Sequence, residues 1–418
     1  MTDGVMVSQL GARMHYAVPR IFERWGHLET LNTDICAARG WPRTLNALPR
    51  SVLPASLRRL AGRVPAGIPA HKIRCFEGIG LRAALRRMMT SSAAVDTEVA
   101  LRAGEDFSRA VIAAGFGNAG GVYGMSGECL EQLAAARRAG LWTAVEQVIA
   151  PRSVADRLVA LEHERHPGWE PPPQANRLAA DYARREEAEW AQADVVICPS
   201  DFVRDGIAQA GGPVEKCVVV PYGVDAPLLA AENRPALPGR IRVLTVGSVG
   251  LRKGTPYVLA AAGRMASMAS FRLVGPAAHL PEARRSELSG ALDLVGQVPR
   301  AELATHYRWA HMFLLPSVCE GSATVIYEAL AAGLPVVTTH NAGSVVRDGI
   351  DGFICPVGDV DAICERIEKL AGDLELRQWM GANARERAAD FDVEAYGHRL
   401  MAALAPVMRR QLHPLQAS

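Results

Sequence analysis

The chain contains no apolar run near the ~20 residues that a membrane-spanning helix needs, although hydrophobic residues fill 49% of its 418 positions. Its opening residues, MTDGVMVSQLGAR, lack the basic segment and apolar core of a secretory leader, so a cytoplasmic location is expected. Eight cysteines (36, 75, 129, 198, 217, 319, 355 and 364) form neither a CxxC pair nor a Cys/His cluster of zinc spacing. That argues for buried free thiols over disulfides or a metal site. A G-x-x-x-x-G-K-[ST] phosphate loop, an internal repeat and a low-complexity tract are missing too. Aromatic side chains are not interleaved with the basic ones, which argues against nucleic acid as a partner.

What is present suits two domains of about 150 to 200 residues each. Charge is spread unevenly. Residues 1–90 hold fourteen Arg and Lys against five acids, whereas residues 301–400 hold eight against fifteen, so the two ends should meet different partners. In the basic end, LPASLRRLAGRV (53–64) and IGLRAALRRMM (79–89) set arginine beside Leu, Ile and Met at helical spacing. Such faces either lie on an anionic membrane surface or cover a core with their charged side in water.

Short apolar runs alternating with helical patterns predict parallel βα units. Strands are expected at GVMVSQL (4–10), RAVIAAG (109–115), TAVEQVI (143–149) and ADVVICPS (193–200). Others are expected at RVLTVGS (242–248), SFRLVG (270–275), LDLVGQV (292–298), HMFLLPS (311–317) and LPVVTT (334–339). Several end in Gly, Pro or Ser before a helical pattern, which puts the ligand face at their carboxyl ends. VPYGVDAPLLAAENRPALPGR (220–240) is the best linker, and HPGWEPPPQANR (166–177) reads as a surface loop. The expected fold class is α/β, with two Rossmann-like domains facing each other across a cleft. They would comprise residues 1–222 and 223–395, with a terminal helix over 396–418 packing back on the first domain.

GFGNAG (115–120) fits G-x-G-x-x-G after an expected strand, and Glu146 lies near the end of the next one, as in a dinucleotide fingerprint. The run continues GVYGMSG, however, and delays the helix to about Ser126, too late for its free N–H groups to open on a pyrophosphate. A glycine loop facing the cleft is the better reading, with an NAD-dependent oxidoreductase as the alternative. In the second half, a strand ends at Gly247 and a loop carries Arg252, Lys253 and Gly254 before a helix. Thr255 suits its cap and Pro256 its first position. A planar fork beside a point charge can clamp a diphosphate, or it can be a solvated loop.

EGSATVIYEALAAGLPVV (320–337) adds Glu320 in a loop, Gly321 where backbone can approach a ligand, a helix from about Ser322, and Glu328 two turns in. Free amides at Ser322, Ala323 and Thr324 would face an anion, and the Glu328 carboxylate can accept two hydrogen bonds from a ribose diol. The plainer alternative is an acid that favours a helix start by about 0.3 to 1 kcal/mol. It leaves Glu328 and the basic loop unexplained.

PSVCEGSATVIYEALAAGLPVVTT resembles the Glu-x7-Glu signature of retaining, family 4 type glycosyltransferases of the GT-B fold. The stretches 193–225, VGSVGLRKG and RDGIDGFICPVGD (347–359) are similar to that family as well, and the likeness runs from about 185 to 395. It implies that Arg252 and Lys253 hold the diphosphate of a nucleotide-sugar donor beside Gly247. Glu320 would contact the donor sugar, Glu328 the ribose, and the amides of Gly321, Ser322, Ala323 and Thr324 the distal phosphate. Three departures stand out. Gly247-Ser248 replaces Gly-Arg, Glu-Gly-Ser-Ala replaces Glu-Gly-Phe-Gly, and Gly11-Ala12-Arg13 replaces a double glycine.

The implied activity moves a sugar, with retained configuration, from a nucleotide-diphosphate sugar to a glycan or lipid-linked glycan. The implied setting is cell-surface polysaccharide or glycolipid synthesis at the inner face of the membrane. Sugar–phosphate cleavage develops negative charge on the departing diphosphate, which two cations and a helix N-terminus stabilise, so neither metal nor cofactor is expected. Asp359-Val-Asp361 has an Asp-x-Asp metal pattern, but it follows PVG at a helix start and reads as an N-cap. His15, just past the first strand, can orient or deprotonate an acceptor hydroxyl, or it is an ordinary loop residue. Glu146 is the other acceptor-side candidate. His163 and His166 read as solvated. A non-catalytic module that binds a sugar nucleotide or glycan, and an epimerase of the same fold, are the remaining alternatives.

Overall fold

The computed structural model describes residues 4–49, 53–89, 92–171, 175–224 and 240–412. The first half runs β1 (Gly4–Ser8), α1 (Ala17–Arg24), β2 (Leu28–Thr33), α2 (Ala55–Ala61), β3 (Ile73–Cys75), α3 (Glu77–Met89) and α4 (Ala93–Ala114). It continues with β4 (Ala119–Met125), α5 (Leu130–Arg138), β5 (Trp142–Glu146), α6 (Arg152–Arg165), α7 (Ala179–Gln192), β6 (Val195–Cys198), α8 (Asp201–Gln209) and β7 (Cys217–Val219). The second half opens with β8 (Ile241–Val246), α9 (Thr255–Arg264), β9 (Ala269–Val274), α10 (Glu282–Ala291), β10 (Asp293–Gly296), α11 (Arg300–Trp309) and β11 (Met312–Leu315). It closes with α12 (Thr324–Ala331), β12 (Val336–Thr339), β13 (Gly352–Cys355), α13 (Val360–Gly372), α14 (Leu374–Ala389) and α15 (Val393–Leu412).

Among the described residues the strands make two parallel sheets, ordered β3-β2-β1-β4-β5-β6-β7 and β10-β9-β8-β11-β12-β13. Each sheet grows outward from an inner strand, β1 or β8, and then reverses through β4 or β11. At such a switch point the loops leaving the two inner strands diverge and open a crevice at the carboxyl ends. Inner strands covered on both faces must be apolar throughout. Val5, Met6 and Val7 in β1, and Phe313, Leu314 and Leu315 in β11, accordingly have no exposed surface.

The expected strand at 109–115 is instead the end of α4, a 22-residue helix. Ser92 caps it, its hydroxyl accepting from the Val95 amide at 3.2 Å, and Val99, Phe107 and Val111 lie on its buried side. The run AVIAA misleads because a short apolar run carries no period of its own. GFGNAG therefore turns from a helix into β4 at the amino end of the sheet. Gly115 and Gly117 take φ of 77° and 60°, and the Asn118 amide donates to Glu29 beside the start of β2. The next helix begins only at Leu130. This removes both the dinucleotide fingerprint and the cleft-facing glycine loop.

Five strands, β2, β3, β4, β7 and β13, escape the sequence reading. In β2, LETLNT, Thr30, Asn32 and Thr33 are buried although polar, while β3 and β7 are three-residue pieces at the sheet edges. Residues 225–239 of the expected linker lie outside the described residues. Its first residues are pinned: Tyr222 donates its hydroxyl to Glu146 at 2.8 Å, and the Val224 amide donates to Phe391 at 2.9 Å. The helix expected over 396–418 begins at Val393 and lies against α1, β4, β5 and β6, with residues 413–418 outside the described ones.

HPGWEPPPQANR is not simply a surface loop, and residues 172–174 of it lie outside the described residues. Trp169 is buried in the core of the second sheet, Glu170 accepts from the Leu251 amide at 2.8 Å, and His166 packs edge-on against Trp169 and Tyr257. His166 is thus not in open solvent. The two basic segments part company. Around α2, Leu45, Leu53 and Ala61 form a small core, whereas α3 leaves Leu81, Leu85 and Met88 exposed on one face. All eight cysteines are free thiols, with Cys75 and Cys217 half-buried and the rest buried. Among the described residues, no helix is long and apolar enough to cross a membrane.

Candidate functional site

Because β8 and β11 are neighbours at the switch point, the loops that follow them meet although they are distant in sequence. Arg252 and Lys253 form a short turn after β8. The Arg252 carbonyl accepts from the Val318 amide at 2.9 Å, and its guanidinium donates to the Cys319 carbonyl at 3.1 Å and to Glu320 Oε1. Lys253 Nζ reaches that same oxygen at 2.7 Å. Glu320 is therefore held by two cations, not by the helix start, and the plainer alternative for it falls away. Burial holds the Lys253 ammonium below the ordinary lysine value, against the pull of Glu320. Gly247 has φ of 153°, and a Cβ there would come 3.3 Å from Lys253 Cε, so glycine leaves room for the lysine stem. Thr255 is the first residue of α9 and not its cap, and its hydroxyl accepts from the Gly250 amide at 2.8 Å.

Gly321 is glycine because of the other domain. A Cβ there would lie 2.0 Å from the Val148 carbonyl oxygen and 3.0 Å from Ile149 Cα, both backbone atoms of the loop after β5. Its carbonyl accepts the Ser200 hydroxyl at 2.5 Å, and Ser200 also caps α8. The helix after this loop starts at Thr324, later than expected, so Glu328 stands just over one turn in. The Ala323 amide already donates to Ala342 at 3.1 Å, and the Ser322 hydroxyl pairs with that of Tyr327 at 2.7 Å. Among the described residues the amides of Gly321, Ser322 and Thr324 have no hydrogen-bond partner. Three amides, not four, can thus face an anion.

Glu328 is buried, which pushes its carboxyl above the usual range. Its Oε2 accepts the Tyr307 hydroxyl at 2.9 Å, and Oε1 lies 3.7 Å from Arg300 Nη2. Neither Tyr307 nor Arg300 stands out in the sequence. The one signal for Arg300 is a basic residue after Pro299 at a helix start.

Across the cleft, His15 is exposed on the loop between β1 and α1, with Nε2 2.7 Å from Arg300 Nη1. Met14, His15 and Tyr16 take φ of 44°, 52° and 61°, a left-handed conformation that costs L residues about 1–2 kcal/mol each. The loop is held in place by acids. Glu128 accepts from the Leu10 amide at 2.8 Å and from Arg13 at 2.9 Å, and Asp34 accepts from the Gly11 amide at 2.9 Å. Strain of this kind persists only where surrounding contacts over-determine it. Glu146 does not reach the cleft: it is buried, and its oxygens accept the hydroxyls of Tyr123 at 2.6 Å and Tyr222 at 2.8 Å. Asp359 caps α13, accepting from the Ala362 amide at 2.9 Å, and Asp361 pairs with Arg264 at 2.6 Å.

Two parallel sheets, each with its switch point at the carboxyl ends and facing the other, make this a GT-B protein. The Anabaena Alr3699/HepE protein, solved in complex with UDP, superposes with a TM-score of 0.58 at 15% identity, covering 97% of this chain and all of that one. Residues 240–373 match the family Glycosyl transferases group 1. It is 35% identical over 130 residues to the D-inositol 3-phosphate glycosyltransferase of Kribbella flavida, a stretch covering 31% of each chain. It is also 28% identical over 266 residues to the GDP-mannose-dependent alpha-(1-6)-phosphatidylinositol monomannoside mannosyltransferase of Mycobacterium tuberculosis. That match covers 57% of this chain and 67% of the relative. Against the first of these relatives the chain spans about a third of the length.

Proposed function

We propose that this protein is a retaining glycosyltransferase that moves a sugar from a nucleotide-diphosphate sugar to a glycan or lipid-linked glycan at the cytoplasmic face of a membrane. The observation that carries it is the Arg252–Lys253–Glu320 cluster at the switch point of the second sheet. Two cations and one carboxylate leave a net positive charge for the departing diphosphate, and the amides of Gly321, Ser322 and Thr324 add donors in a partly dry site. Glu328, one helix turn further on, receives the ribose, and Glu320 faces the donor sugar. The charge stabilisation comes from the chain, so transfer proceeds without a metal or further cofactor. His15 serves the acceptor hydroxyl across the cleft.

A thermal-shift screen of nucleotide sugars, followed by turnover of the best binder with and without glycan acceptors, tests this. Binding without donor hydrolysis or transfer over a broad acceptor panel would make it a binding module. Conversion of the nucleotide sugar without any acceptor would make it an epimerase.

The exposed face of α3 favours a membrane-side acceptor. Leu81, Leu85 and Met88 lie on one side, and Arg82, Arg86 and Arg87 pair with Asp106, Glu98 and Asp96 of α4. Apolar contact would then contribute more than headgroup attraction. Cosedimentation with phosphatidylglycerol vesicles should fall in Leu85→Glu. Binding indifferent to that change and to lipid charge would count against the membrane role.

A further inference from the structure

Arg300 joins the two sides of the cleft, and none of the roles above includes it. It opens α11, its side chain is 58% exposed, and it meets one residue from each side: His15 Nε2 at 2.7 Å and Glu328 Oε1 at 3.7 Å. The two contacts differ in kind. A guanidinium only donates, so His15 Nε2 must be the unprotonated, accepting nitrogen. The Glu328 contact is an ion pair beyond hydrogen-bond reach. Arg300 thus hydrogen-bonds a neutral ring and holds Glu328 only at ion-pair distance, and an anion within hydrogen-bond reach would bind it more strongly.

We infer that Arg300 is a positioning residue with two stations, the second being against a bound nucleoside diphosphate. Resting on the donor-site reading above, a donor brings its ribose to Glu328 and its phosphates to Arg252 and Lys253. Arg300 then turns to the added negative charge and leaves His15 Nε2 to an acceptor hydroxyl. Donor entry would in this way precede and enable acceptor engagement. The His15 loop does not depend on Arg300 for its shape, since Glu128 and Asp34 hold it from below. Arg13, the charged residue of that loop, is turned to Glu128 at 2.9 Å.

The test is histidine-labelled NMR of the full chain, with the His15 ring signal assigned by its loss in His15→Gln. UDP, GDP and ADP are added in turn, and their binding is followed by calorimetry on the same samples. Wild-type His15 should protonate at lower pH than in Arg300→Ala. The nucleotide that binds should move the wild-type signal toward the variant's position, and should move the variant's signal by less than half as much. Arg300→Lys should restore part of the wild-type shift. Equal nucleotide-induced shifts in wild type and Arg300→Ala would overturn the two-station role while leaving the donor site standing. Absence of binding by all three nucleotides would overturn the donor-site reading, and the role of Arg300 with it.

Discussion

Glu328→Gln isolates the proposed ribose contact. The amide keeps the side-chain volume and a carbonyl oxygen for the Tyr307 hydroxyl, which also has the Val325 carbonyl at 3.2 Å as an acceptor, so the fold should survive. What is lost is the charge and, at Oε1, an acceptor for a ribose hydroxyl. A hydrogen bond to a charged group contributes about 1.5–3 kcal/mol. At about 1.4 kcal/mol per tenfold, losing one should weaken a nucleoside diphosphate by roughly 10- to 150-fold. The assay is calorimetric titration of wild type and variant with the nucleoside diphosphate that gives the largest thermal shift, and with its 2′,3′-dideoxy counterpart. If Glu328 receives the diol, removing the hydroxyls and removing the carboxylate cost the same interaction, and the second change adds little to the first. Losses that simply add would refute the ribose assignment, however large each is, because they would place the effect of Glu328 elsewhere, in Arg300 or Tyr307.

Burial lowers the Lys253 ammonium, so its charge should fade at a pH below the ordinary lysine value of 10.5. Nucleotide affinity should therefore fall as pH rises through that point, and Lys253→Arg, which keeps its charge, should delay the fall. Ionisation of the base cancels in the comparison, and identical profiles would count against the clamp. Gly321→Ala forces a methyl against the Val148 carbonyl and should cost about 1–3 kcal/mol, as overpacking does. An unchanged melting temperature would show that the two domains do not press together there. Trp169→Ala should cost about 3–5 kcal/mol, the range for a buried aromatic, and should destabilise the second domain although the residue precedes the linker. A melt in which only the first domain is affected would contradict its burial in the second sheet's core.

Much of the α/β pattern was legible because central parallel strands must be apolar on both faces. The same rule explains the failures. AVIAA satisfies it as well as a strand does, yet belongs to a helix whose period shows only when Val99, Phe107 and Val111 are counted together. LETLNT fails it, yet forms β2, because its buried polar residues serve the carboxyl-end crevice: Asn32 donates to the Ser8 hydroxyl at 3.3 Å. In the site, Arg252, Lys253 and Glu320 could be named because each follows a strand with a glycine beside it. That the two cations share one Glu320 oxygen could not, since the order of β8 and β11 in the sheet is a tertiary fact.

The glycine at 321 shows how far the proposed donor wall depends on the other domain. Sequence logic assigned it to ligand approach, whereas its missing Cβ is required by Val148, and its carbonyl is held by Ser200. The same segment of the first domain continues onto the second: Glu162 accepts the Tyr257 hydroxyl, Glu170 accepts the Leu251 amide, and Trp169 enters the core. Leu251 is the residue before Arg252, and Gly321 the residue after Glu320. The cation turn and the carboxylate loop are each braced, one residue away, by chain from the first domain. A rotation between the two sheets that leaves α6 and the 166–170 segment with the second domain spares the brace at Leu251 but still pulls the one at Gly321, which Val148 and Ser200 form.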